Sequence, residues 1–189
     1  FLTGDTAAQV AVDRLLDAIP MLPHALGGRR LATEQVAQVD SKDMSVGIWR
    51  ALAARCMHWL DDVSVQGLVI THGTDTLEET AWFLQALLRP DKPVVLTCAM
   101  RPSTALAPDG PQNLLDAVAV VQDPAARGVL AVCAGVVHGA RYVRKNHRYR
   151  LDAFDSGDAG PLGYVEEGRV RWVKSTSFEA DPVVKLSSD

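Results

Sequence analysis

An apolar run, Leu68-Val69-Ile70, passes through Thr71-His72-Gly73-Thr74-Asp75-Thr76 directly into a helical pattern at Leu77, Ala81, Leu84 and Leu88. A strand that ends in a glycine turn and at once enters a helix is the opening of a βαβ unit. It commits the chain to a parallel sheet with helices packed on its faces. The polar groups of the turn then stand at the carboxyl end of a strand, the edge where open α/β sheets bind ligands. Thr74 and Asp75 bring a hydroxyl and a carboxylate to that edge.

The rest of the chain agrees with this start. The runs 94–99 and 129–134 are apolar apart from Thr97 and of strand length, as buried parallel strands are. Helical patterns are predicted over residues 10–19, ended by Pro20, over a long stretch after Asp43 with Ile48, Leu52, Cys56 and Trp59 on one face, and over residues 111–122. Residues 35–39 alternate like a strand. From Val136 the pieces become short and alternating, which predicts hairpins, with a late strand over residues 170–173. The expected class is α/β: a doubly wound, mostly parallel sheet flanked by helices, with a C-terminal β-hairpin region. Residues 1–174 read as one domain and the polar residues 175–189 as a linker.

Composition narrows the partners. A net charge of -4 gives no electrostatic reason to expect nucleic acid or an anionic membrane. No apolar run approaches the ~20 residues that span a bilayer. The first residues, Phe1-Leu2-Thr3-Gly4-Asp5, carry neither the basic nor the apolar part of a secretory signal, and no initiator Met, so a processed or truncated chain is expected. Cys56, Cys98 and Cys133 lie in apolar segments without C-x-x-C spacing and read as buried free thiols. That favours the cytoplasm without excluding the periplasm. No Gly-x-Gly-x-x-Gly follows a predicted strand, which argues against a dinucleotide-binding protein.

Local structure competes with chemistry for the polar groups. Asp75 or Thr76 can cap the helix, with Glu78 or Glu79 completing a capping box. Thr74 precedes the cap and is poorly explained that way, while His72 reads as structural. Ser41 and Lys42 follow one predicted strand and precede a helix, so they reach the same sheet edge unless Ser41 or Asp43 merely caps that helix. Lys145 sits in Ala140-Arg141-Tyr142-Val143-Arg144-Lys145-Asn146-His147-Arg148, which is either a solvated basic face or the crowded positive setting in which a lysine can act as a base. Hydroxyl, lysine and carboxylate together would form a set that activates a nucleophile. Spacing alone does not place Lys145 near Thr74.

The segment Val69-Ile70-Thr71-His72-Gly73-Thr74-Asp75-Thr76-Leu77-Glu78-Glu79-Thr80-Ala81 resembles an active-site signature of the bacterial-type L-asparaginases. Asp40-Ser41-Lys42-Asp43-Met44, Asp91-Lys92-Pro93, Ala99-Met100-Arg101-Pro102-Ser103, Asp109-Gly110-Pro111-Gln112-Asn113, Val143-Arg144-Lys145 and Gly160-Pro161-Leu162-Gly163-Tyr164 match further motifs of that family's N-terminal domain, in family order. The resemblance implies hydrolysis of the side-chain amide of L-asparagine to aspartate and ammonia through a threonine acyl-enzyme, with no metal or cofactor. It implies that Thr74, Lys145 and Asp75 are catalytic, that Asp75 also binds the substrate α-ammonium, and that Ser41 binds the α-carboxylate. It also implies that Gly73 lies against the substrate and that the Ala99 carbonyl faces the side-chain amide.

Lys42 stands where several members carry Gln, so it either bears on asparagine against glutamine preference or points to solvent. A homo-oligomer, a dimer of dimers, is likewise implied. The family's first signature, Thr-Gly-Gly-Thr-Ile, with the other threonine, does not occur in the 189 residues, and its smaller C-terminal domain is also missing. A glutaminase-asparaginase, an amidotransferase-type amidase and a non-catalytic fragment keeping fold and oligomer surface therefore remain as alternatives.

Overall fold

The computed structural model describes residues 16–176. Its centre is three parallel strands, β1 (Leu68–Thr71), β2 (Val94–Thr97) and β3 (Val129–Cys133), paired Leu68 to Val94 and Val94 to Val129. The crossovers between them are α3 (Leu77–Leu88) after β1 and α4 (Gly110–Gln122) after β2. Their carboxyl ends, at Thr71, Thr97 and Cys133, therefore lie side by side.

 The short helix α1 (Leu22–Leu26) precedes the sheet and packs against α4, and α2 (Val46–Asp61) leads into β1. After β3 the chain reverses. β4 (Val136–Gly139), β7 (Gly163–Glu166) and β8 (Arg169–Trp172) add antiparallel to the same sheet, which is six-stranded and mixed in the order β1-β2-β3-β4-β7-β8. The expected hairpins thus extend the main sheet. A second, two-stranded sheet stands apart from it, formed by β5 (Arg144–Lys145) and β6 (Phe154–Asp155).

Alternation along the buried strands divides the core between two faces. Ile70, Leu96 and Ala131 face one side, against Leu52 and Cys56 of α2 and Leu77, Ala81 and Leu84 of α3. Val95, Leu130 and Val132 face the other, against Ala117 and Val120 of α4. Leu22 of α1 joins Leu114 and Val118 of α4 on that second side. Each such side chain contributes about 1.5–3 kcal/mol when fully buried. Helices on both faces give the doubly wound α/β arrangement that the strand and helix periods predict.

Two backbone details fix the sheet's ends. Gly67 enters β1 so close to its neighbours that a Cβ there would lie 2.7 Å from the Pro93 carbonyl oxygen and 2.6 Å from Val121. The β3–β4 reversal uses Ala134 and Gly135 at φ 49° and 75°, the left-handed pair of a tight hairpin. The Ala134 N–H donates to Asn113 Oδ1 at 3.0 Å, which helps to hold a conformation that alanine seldom adopts.

Residues 35–39 differ from expectation. Only Ala37 makes a single bridge, although Val36, Ala37 and Val39 pack against the core. Alternation decides which side chains face inward, whereas a strand needs a neighbouring ladder as well. The segment is tied down by side chains instead, with Glu34 accepting from Arg55 at 2.6 and 3.0 Å and from Trp59 at 2.7 Å. Most of the helix expected over residues 10–19 lies outside the described residues. So does most of the expected linker, of which Thr176 is buried and donates to the Ala125 carbonyl at 2.6 Å.

Candidate active site

The turn after β1 is held from below by a chain of three side chains. Trp49 on α2 donates its Nε1–H to Thr80 Oγ1 at 2.8 Å, and Thr80 lies 3.0 Å from His72 Nε2. His72 Nδ1 lies 2.7 Å from the Gly73 carbonyl oxygen. A carbonyl only accepts, so Nδ1 carries the proton, and Nε2 accepts from the Thr80 hydroxyl. His72 is a neutral clamp, as its structural reading expects, and burial lowers its pKa below the usual histidine value.

The second arm of the site comes from the loop before α2. Ser41 is buried, and its hydroxyl accepts from the Asp75 N–H at 3.2 Å. The hydroxyl of Thr76 donates to the Ser41 carbonyl at 2.7 Å. Thr76 does occupy the N-cap position of α3, but its hydroxyl makes no cap bond and ties two loops together instead. Nor does Ser41 cap α2, since Ser45 does so, accepting from the Ile48 N–H at 3.4 Å. Lys42 behaves differently: its ammonium donates to Asp40 at 2.7 Å and to Asp43 at 3.2 Å and is largely exposed. That is the solvent-facing alternative for this residue.

The third arm crosses 71 residues of sequence, because Lys145 Nζ donates to Thr74 Oγ1 at 2.6 Å. It also donates to Asp75 Oδ1 at 2.7 Å, while Thr74 Oγ1 is 3.5 Å from that same oxygen. Lysine, hydroxyl and carboxylate thus converge on one point at the carboxyl edge of the sheet. The basic neighbours Arg144, His147 and Arg148 are exposed, so they form the solvated part of that cluster. The backbone N–H of Lys145 in turn donates to Glu78 Oε2 at 2.5 Å.

Ala99 is placed by its flanking peptides. The N–H groups of Met100 and Arg101 each donate to the Asp109 carboxylate at 2.9 Å. Asn113 Nδ2 donates to the Cys98 carbonyl at 2.9 Å and to Asp109 at 3.1 Å. Together with the Asn113 bond to Ala134, this joins the loops after β2 and β3 into one framework. Behind it, Cys98 and Cys133 are buried with their sulfurs 3.3 Å apart, and that contact together with burial raises the Cys98 thiol above its ordinary range. Cys56 is also buried and is pushed up to about 12 by desolvation. Among the described residues, no group of three or more His, Cys, Asp and Glu side chains gathers to hold a metal.

Glu78, Asp109, Asn113, Trp49 and Thr80 were not legible as site residues. For Glu78 the available signal, an acidic residue in a first helical turn, points equally well to a capping box.

Known proteins resemble this arrangement. The family model described as asparaginase, N-terminal, matches residues 2–178. The L-asparaginase 2 of Escherichia coli (strain K12) is 39% identical over 186 residues, which are 97% of this chain and 50% of that protein. A glutaminase-asparaginase of Pseudomonas fluorescens biotype A is 39% identical over 170 residues, 89% of this chain and 46% of the relative. The crystal structure of a probable cytoplasmic L-asparaginase from Campylobacter jejuni superposes with a TM-score of 0.86 at 42% identity, covering 92% of this chain and 55% of that one. The chain spans about half the length of the curated relatives it matches. No helix among the described residues is long and apolar enough to cross a membrane.

Proposed function

The chain belongs to the asparaginase family through its N-terminal domain, and from that premise we propose that the protein hydrolyses the side-chain amide of L-asparagine to aspartate and ammonia. The observation that carries this reading is the 2.6 Å contact between Lys145 Nζ and Thr74 Oγ1, with Asp75 at 2.7 Å from the same ammonium. A lysine aimed at a threonine hydroxyl moves a proton to and from that oxygen, and the carboxylate orients the lysine.

In the proposed reaction a threonine hydroxyl attacks the amide carbon and gives up its proton, the C–N bond breaks, and the departing nitrogen takes up that proton to leave as ammonia. Water then attacks the acyl carbon, its proton passing through Thr74 Oγ1 to Lys145 Nζ in its amine form. That proton returns to the enzyme's threonine oxygen as the C–O bond breaks to release aspartate. Thr74 serves as the activating threonine. The attacking one is assigned to the family's Thr-Gly-Gly-Thr signature, which residues 1–189 do not contain. Asp75 is suited to the substrate α-ammonium and the buried Ser41 hydroxyl to its α-carboxylate. The Ala99 carbonyl, set by Asp109 and Asn113, accepts from the substrate amide, and Gly73 lies against the substrate. Lys42 is left outside this set.

Thr74→Ala in the full-length protein is expected to abolish ammonia release while leaving a folded protein. Retained release would overturn the role of Thr74. A glutaminase-asparaginase reading is favoured by one observation, the relative of that name at the same 39% identity. The ratio of ammonia release from asparagine to that from glutamine separates the two. Residues 1–174 are read as the catalytic α/β domain with a linker after it, and the working protein as a homo-oligomer. The buried thiols and the similarity to a probable cytoplasmic L-asparaginase of known structure support a cytoplasmic location.

A further inference from the structure

Lys145 lies on a two-residue strand whose only ladder among the described residues is with β6, Lys145 opposite Phe154. That small sheet shares no ladder with the main sheet, which carries Thr74. Its inner side is apolar, with Val143, Ala153 and Phe154 in the core beneath it. Apolar packing keeps the hairpin on the domain, but being non-directional it does not set where along α3 the strand comes to rest.

A polar contact from the strand's backbone to α3 itself does so. The Lys145 backbone N–H donates to Glu78 Oε2 at 2.5 Å. Glu78 lies in the first turn of α3, four residues after Thr74, and so belongs to the same rigid unit as the hydroxyl. The floor of that unit is already pinned by Trp49, Thr80 and His72, and its flank by Ser41. The lysine side chain itself has four rotatable carbons and cannot hold its own base in place. A carboxylate fixed on the helix and gripping the lysine's backbone is what turns a flexible ammonium into an aimed one.

We propose that Glu78 is a positioning residue, holding the backbone of Lys145 against the first turn of α3 so that its ammonium meets Thr74. This rests on the reading of Lys145 and Thr74 given above. It assigns Glu78 no contact with substrate. Its neighbour Glu79 is exposed and serves as the internal comparison.

The test compares Glu78→Ala, Glu78→Gln and Glu79→Ala in the full-length protein, measuring ammonia release from asparagine and the hydrogen exchange of the Lys145 amide. Glu78→Ala is expected to lower kcat about 10- to 100-fold with KM within about twofold, the scale on which a small misplacement slows catalysis. The Lys145 amide should lose its protection in the same variant. Glu78→Gln still presents an acceptor oxygen, and should recover both protection and most of kcat. Glu79→Ala should match the wild type.

A Glu78→Ala protein with kcat within about twofold of wild type, or one altered only in KM, would overturn the proposal. So would a Gln variant as slow as the Ala variant. If the wild type releases no ammonia from asparagine or glutamine, the proposed function fails by itself. The exchange comparison then still decides whether Glu78 holds this strand, and equal protection in wild type and Glu78→Ala sinks the idea.

Discussion

The two sides of the candidate site are held by different means. Thr74 and Asp75 grow out of β1, at the edge of a sheet whose strands are buried on both faces, and reach α3 within a few residues. Lys145 arrives on a hairpin of two-residue strands, laid over the apolar face and tied by Glu78. One side is positioned by the covalent path and a dense core. The other depends on a small set of separate contacts, so it is the side on which a single deletion should do the most harm per atom removed.

The sharpest way to break that comparison is at Lys145. Lys145→Ala removes the proton acceptor while leaving Val143, Ala153 and Phe154 packed, so kcat should fall about 10³-fold, within the usual range for loss of a general base. Denaturant midpoints should hardly move, because an exposed or half-exposed ion pair contributes about 0–1 kcal/mol. A variant that loses activity only by unfolding would erase the distinction between the two sides.

On the sheet side the corresponding change is Asn113→Ala. Asn113 is buried and serves Cys98, Asp109 and Ala134, so its loss leaves a carbonyl and an N–H unpaired in the interior. The expected loss is about 2–4 kcal/mol of stability, measured by urea unfolding. Activity should decline through the framework around Ala99. A loss below about 1 kcal/mol would mean that the loops after β2 and β3 are not coupled through this amide.

Acid should separate the two sides more gently. His138 on β4 lies 2.8 Å from Ser156 Oγ, just beyond β6, while its Nε2 is buried without a partner. Burial lowers its pKa to about 4 from the ordinary 6.5, against a smaller opposing effect of Asp155. The unfolded chain therefore binds more protons between those values, and stability rises with pH across the window. It is fully present above about 6.5 and is lost on going down toward about 4, by roughly 3 kcal/mol at most. The buried, neutral His72 acts in the same direction on the sheet side. Unfolding at pH 7 and pH 5 should show the slope, and His138→Gln should flatten it. If the hairpin is the looser side, amides of residues 144–155 lose exchange protection before those of β1 to β3.

How legible these features were depends on their range. Strand 68–71 and helix 77–88 follow from hydrophobic period and turn chemistry, both properties of neighbouring residues. Residues 35–39 show the limit of the same rule, for alternation without a ladder made one bridge only. Ser41 and Thr76 obey capping grammar on paper, yet their hydroxyls serve the contact between two loops. Glu78 was hidden behind the same grammar. Lys42, beside Ser41 in sequence, turned to Asp40 and Asp43 at the surface, where a long charged side chain keeps its hydration.

By itself the sequence determined the α/β class, the buried strands and the edge on which Thr74 and Asp75 stand, because short-range periodicity and glycine turns act within a few residues. Through its motifs it also pointed to the asparaginase family. Only the tertiary structure decided that Lys145 meets Thr74 across 71 residues, that Ser41 meets Asp75, and that Glu78 holds the lysine's backbone. Those contacts arise where separate loops are brought to one sheet edge by core packing, and burial chooses among the partners that local spacing leaves equivalent.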